Sequence, residues 1–142
     1  SYKDIVTYIG YDNIGRKDKD YLPYAEIIDP TASYRNNASV GTNNYYISNF
    51  PNEISSTTPN PFSQKKFEDS PDDRVLQQAA PGTDWALGSG HEIKTDYQTN
   101  LANEVKLYTV ALNLSDNAYN AIPSSTTYYQ TGQLFKTIIK NI

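Results

Sequence analysis

The sequence predicts an all-β fold built from successive antiparallel hairpins, on three observations. Several stretches alternate with the two-residue period of a strand: Ile5, Thr7, Ile9 and Tyr11 on one face with Val6 and Tyr8 on the other, and His91, Ile93, Thr95 and Tyr97 opposite Glu92, Lys94 and Asp96. The apolar residues are mostly strand formers, with 13 Tyr in 142 residues, no Met and few Leu. Between the alternating stretches stand Asp, Asn, Gly and Pro, the residues that turns require.

The first hairpin is predicted from residues 5–11, a turn at Asp12-Asn13-Ile14-Gly15, and a return over residues 16–22. Asp12 can accept from backbone N–H groups two residues on, and Gly15 can take the positive φ after a type I turn. Pro23 has no N–H to donate, so it ends that strand or confines it to an edge. Residues 24–29 (YAEIID) read as a short extended segment stopped by Asp29-Pro30. Residues 31–62 read as a long surface loop, rich in Asn, Ser, Thr and Pro, with a brief strand at Tyr45-Tyr46-Ile47-Ser48 and anchors at Tyr45, Tyr46, Phe50 and Phe62.

Residues 63–81 allow two readings. Ser70-Pro71-Asp72-Asp73 suits a helix start, with an N-cap, a proline at the first helical position and acids at the positive end of the dipole. The other reading is a second hairpin, residues 65–69 and 74–79, in which Glu68-Asp69 and Arg74-Val75 flank a turn as Tyr11-Asp12 and Arg16-Lys17 flank theirs, with one residue inserted, an imperfect internal repeat. A turn-rich link follows, with Trp85 as its aromatic anchor. Residues 91–97 are then expected to pair across a turn at 98–103 with residues 104–114. This second strand is apolar on both faces in its later half, which predicts a central strand covered on both sides. Residues 118–126, with Pro123, read as a loop, and residues 127–130 and 134–139 as a last strand pair around Thr131-Gly132.

The run Tyr11-Asp12-x-x-Gly15-Arg16, within IVTYIGYDNIGRKDKDYLP, resembles the YD repeats of bacterial RHS proteins. Three later blocks are similar to the N-terminal region of the same large secreted proteins: NPFSQKKFEDSPDDRVLQQAAPGTDWALGSGHEIKTDYQTN, ANEVKLYTV and YYQTGQLFKTIIKN. The resemblance covers most of the chain in the family's order. It implies that residues 1–142 are a single segment of a β-sheet shell that encloses or displays a C-terminal effector, commonly a toxin. It also implies a secreted or cell-surface location, and as partners the remainder of the parent protein, a secretion-system component or a surface glycan. Only one good YD motif is present, and the family's self-cleavage residues do not appear.

The formal charge of −4 and pI near 4.8, without a Lys/Arg patch, argue against nucleic-acid binding. Arg16-Lys17-Asp18-Lys19-Asp20 alternates in sign, as an exposed edge does. With no Cys, disulfides and thiolate metal sites are excluded. No apolar run approaches the ~20 residues of a membrane-spanning helix, and the first residues do not read as a signal peptide, which the resemblance would place upstream or as already removed.

No catalytic or cofactor residues are expected, and no metal. The single His91 lacks companions for a metal site. Asp84, Ser89 and His91 lie close in sequence, but no nucleophile elbow accompanies them. Glu68, Asp69, Asp72 and Asp73 could ligate Ca²⁺ through oxygen, yet their spacing is not that of an EF-hand loop. Trp85, Tyr45 and Tyr46 could stack on sugar rings or contact a surface partner, making the chain a recognition module. A hydrolase using Asp84 or His91 and a filament subunit are the other rival readings.

Overall fold

The computed structural model describes residues 2–26, 31–115 and 118–141. It is mainly antiparallel β-structure with one short helix, as the alternation predicts. Two compact units are present, residues 1–95 with 139–142, and residues 96–138.

In the first unit β1 (Asp4–Val6) pairs with β3 (Tyr24–Glu26), and β2 (Lys19–Tyr21) pairs with β4 (Phe62–Phe67). The predicted first hairpin is thereby corrected. Its turn forms, but its arms meet in only one backbone bridge, Ile9 to Asp20. The reason is that the start of the first arm is taken by another strand, Ile5 standing opposite Ala25 and Val6 opposite Tyr24, while β2 pairs with β4; the arms still meet through Tyr8 and Tyr21, whose rings lie 4.9 Å apart edge to face. Pro23 follows β2 as expected. Of the extended segment 24–29, residues 27–29 lie outside the described residues.

The second correction concerns residues 31–62. Residues 31–37 and 50–61 are irregular as expected, but where the loop's middle and a strand at Tyr45 and Tyr46 were predicted stands α1 (Ala38–Asn49). Its composition is poor in helix formers and its Asn37 cap makes no side-chain bond, so packing must stabilise it. Gly41 lies flat against Tyr24, where a Cβ would overlap the phenol hydroxyl. Thr42, fully buried, donates its hydroxyl to the Ala38 carbonyl (2.9 Å). Tyr24 and Tyr45 rings lie 6.2 Å apart, Tyr46 donates its hydroxyl to the Pro23 carbonyl (2.7 Å), and Tyr46 stacks on Phe50 at 5.5 Å.

Residues 63–81 form the hairpin and not the helix: β4 pairs with β5 (Val75–Ala79), with a register shift at Lys66/Phe67. β5 pairs with β6 (Ile93–Thr99) through Gln77–Lys94 and Gln78–Ile93. The sheet order is β2-β4-β5-β6-β9, where β9 spans Phe135–Asn141, and both β6 and β9 run on into the second unit. The pairing of residues 91–97 with 104–114 is therefore also corrected.

So is the expected burial at the entry to β6. Ile93 is 42% exposed, while Glu92, expected on the wet face, is 3% exposed. The Glu92 carboxylate is compensated there: it accepts the Gly90 N–H (2.9 Å) and faces Lys94 Nζ at 3.5 Å. Hydrogen bonds from its own backbone N–H and from Gly90 hold its pKa below the usual carboxylate value.

In the second unit β7 (Lys106–Ser115) pairs with β8 (Ala118–Tyr128) as a two-stranded ribbon. Residues 118–126 are thus strand and not loop, with Pro123 opposite Val110. Proline is tolerated because a two-stranded ribbon leaves each strand an outer edge with no ladder to supply. The expectation of a covered central strand fails. Tyr108, Val110, Leu112 and Leu114 are all exposed, Leu112 by 67%, because no third strand or second layer lies against them among the described residues.

Candidate functional site

The sequence motif Tyr11, Asp12, Gly15 and Arg16 builds a clamped turn. Asp12 accepts at Oδ1 from the N–H groups of Ile14 (3.1 Å) and Arg16 (2.8 Å), and at Oδ2 from Arg16 Nε (2.8 Å). Two backbone bonds close it, Asp12 N–H to the Arg16 carbonyl and Gly15 N–H to the Asp12 carbonyl, with Gly15 at φ +88. The Arg16 hydrogen bond, foremost, holds the Asp12 carboxyl below its usual pKa, and the same contact raises that of Arg16. Tyr11 is 66% exposed and takes no part in the clamp.

Residues 68–74 repeat the device with two residues inserted. Glu68 Oε1 accepts from Arg74 Nε (2.7 Å), the Arg74 N–H (3.4 Å) and the Ser70 hydroxyl (2.7 Å), while Glu68 N–H donates to the Arg74 carbonyl (3.0 Å). Asp73, immediately before the arginine, has a left-handed φ of +51, as Gly15 before Arg16 has one of +88. Arg74 and then Ser70 pull the Glu68 pKa down to about 2.

Arg16 joins the two turns. Its Nη1 donates to Asp73 Oδ1 (3.1 Å) and to the Glu68 carbonyl (3.3 Å), and its guanidinium lies 4.7 Å from the Phe67 ring centroid. A planar fork with donors on several edges suits this task, whereas lysine presents one point charge. Three of the four acids considered for Ca²⁺ face groups of the chain itself: Glu68 turns to Arg74 and Ser70, Asp73 to Arg16, and Asp72 lies 3.9 Å from Arg74. Among the described residues no group of three or more His, Asp or Glu is placed to hold a metal ion.

Trp85 ends a short 3-10 turn (Thr83–Trp85) and lies between two cavities. One, of about 370 Å³, is lined by Tyr46, Phe50, Glu53, Ile54, Asp84 and Trp85 among others. The other, of about 470 Å³, reaches His91 and Ile93. Trp85 itself is 51% exposed. Of the two tyrosines expected beside it, Tyr46 lines the first cavity, while Tyr45 packs on Tyr24. His91 Nδ1 lies 2.6 Å from the Asp84 carbonyl oxygen, and its ring is 5.0 Å from that of Trp85. A carbonyl only accepts, so Nδ1 carries the proton, and the contact does not use the Asp84 carboxylate as a triad would.

The second unit contains a residue that sequence reasoning missed. Asn100, 1% exposed, binds the turn at 130–134 from four sides. Its Oδ1 accepts the Leu134 N–H (2.9 Å), its Nδ2 donates to the Gln130 carbonyl (3.0 Å), its carbonyl accepts from Gly132, and its N–H donates to Leu134. The signal was faint: one asparagine at a strand end, with its partners thirty residues on.

No curated protein and no solved structure matches the chain. The family model described as Domain of unknown function (DUF6443) matches residues 1–99, which take in both clamped turns, α1 and Trp85. The chain belongs to the DUF6443 family.

Proposed function

We propose that the chain is a structural unit of a larger secreted or cell-surface protein of the RHS type. Its hairpins add to a β-shell that encloses or displays a C-terminal effector, and it performs no catalysis of its own. The observation that carries this reading is unspent apolar surface. The ribbon side chains Tyr108, Val110, Leu112 and Leu114 and the side chains Ile5, Ile9 and Tyr11 of the first unit are each more than half exposed. Open strand edges with apolar faces invite further strands. The repeated acid, left-handed residue and arginine of the two turns also support a hairpin repeat.

The test is to express residues 1–142 alone and together with the flanking residues of the parent. Alone, the chain should bind a hydrophobic dye and self-associate; in the longer protein the ribbon amides should become protected from exchange. A dye-silent monomer whose parent carries no further Tyr-Asp turns would overturn the reading.

A second reading is favoured by the half-exposed Trp85: recognition of a glycan or surface partner at its cleft. Glycan-array or partner binding lost on Trp85→Ala tests it.

A further inference from the structure

We infer that the cleft between the C-terminal end of α1 and the 3-10 turn receives a cationic side chain, arginine or lysine, from a partner polypeptide. The inference rests on the Trp85 recognition reading and names its ligand class. The cleft is a built one. Thr83 N–H donates to the Glu53 carbonyl (2.7 Å), Ser55 N–H to Thr83 Oγ1 (3.0 Å), and Ile54 is buried beneath. Gly82, at φ +108, brings the backbone close enough that a Cβ would stand 3.6 Å from both the Glu53 carbonyl and Trp85 Cδ1. At about 370 Å³ the space sits near the small end of ligand sites, which suits one long side chain better than an oligosaccharide.

Its chemistry is aromatic and anionic together. Trp85 and Phe50 line it with rings that are half in water, the arrangement that attracts cations to a π face. Glu53 and Asp84 also line it, and among the described residues neither carboxylate has an ion-pair or hydrogen-bond partner. Elsewhere Asp4, Asp12, Asp20, Glu68 and Glu104 each face a cation of the chain itself. The last turn of α1 carries no basic residue, so the negative end of its dipole adds to the same field.

Trp85 is the chain's only tryptophan, so its fluorescence reports on the cleft. Titration with a hexa-arginine peptide should shift the emission saturably, weakly at high salt, and about tenfold more weakly in Glu53→Gln/Asp84→Asn. These side chains are exposed, and an unchanged circular dichroism spectrum would establish that the double variant folds. An absent shift, or equal binding by the variant, overturns the inference. If a chito-oligosaccharide then moves the emission, the recognition reading survives with a sugar ligand; if neither probe does, both fall.

Discussion

Replacing Gly41 by alanine should destabilise the protein, against the usual rule for a helix. In an exposed helix interior that change gains about 1 kcal/mol from propensity. At Gly41 the new Cβ would overlap the hydroxyl of Tyr24, a side chain only 4% exposed, with its ring against Tyr45 and its hydroxyl within 3.4 Å of Glu26. Displacing a packed ring costs about 1–3 kcal/mol. The steric effect therefore exceeds the propensity gain by about 1 kcal/mol, which is a fall in Tm of about 4–8 °C for a domain of this size. Asn44→Ala, one turn along on the exposed side, has no such contact and should gain up to about 0.5 kcal/mol. Urea denaturation of both variants, followed by far-UV circular dichroism and Trp85 fluorescence, measures the two signs. If Gly41→Ala stabilises like Asn44→Ala, the packing of α1 on Tyr24 is wrong; if both are neutral, residues 38–49 are not helical.

Three further outcomes are expected. Gly15→Ala should cost about 1 kcal/mol, and Gly15→Asn less, because nothing lies within 4 Å of the added Cβ and only the φ of +88 is opposed; thermal melts check this. Glu68 titrates at about 2 in the folded chain against an ordinary value of 4.5, so its stabilising contribution is complete above 4.5 and is lost as pH falls towards 2. Acid titration of wild type and Glu68→Gln should show the variant losing less stability over that window. Asn100→Ala removes the side-chain bonds to Leu134, Gln130 and Leu101 at a fully buried site and should cost about 2–4 kcal/mol, with faster amide exchange at Leu134 and Gly132.

The turn at Asp12 to Arg16 was legible in the sequence, whereas residues 68–74 read equally as a helix start, and their match to the first turn falls on Glu68 and not on Asp69. Asp12 to Arg16 and Glu68 to Arg74 each close within a few residues, with a side chain accepting its own loop's N–H groups and a left-handed residue in a set place. Nothing distant is needed to form them. The resemblance between the two was likewise readable, although the arginine that links them was not, since Arg16 and Asp73 are far apart along the chain.

Tertiary contacts decided the rest. Residues 38–49 have the local preferences of a loop and become a helix because Tyr24, from a strand, offers a surface that Gly41 and Thr42 fit. Alternation in β6 announced a strand but not which residues stay dry: Ile93 is open while Glu92, just before the strand, is buried against Gly90 and Lys94. Apolar residues on both faces of β7 pointed to cover that the described residues do not supply. Local chemistry can specify where a chain bends; which strand it meets, and which face stays dry, depend on partners that no short window contains.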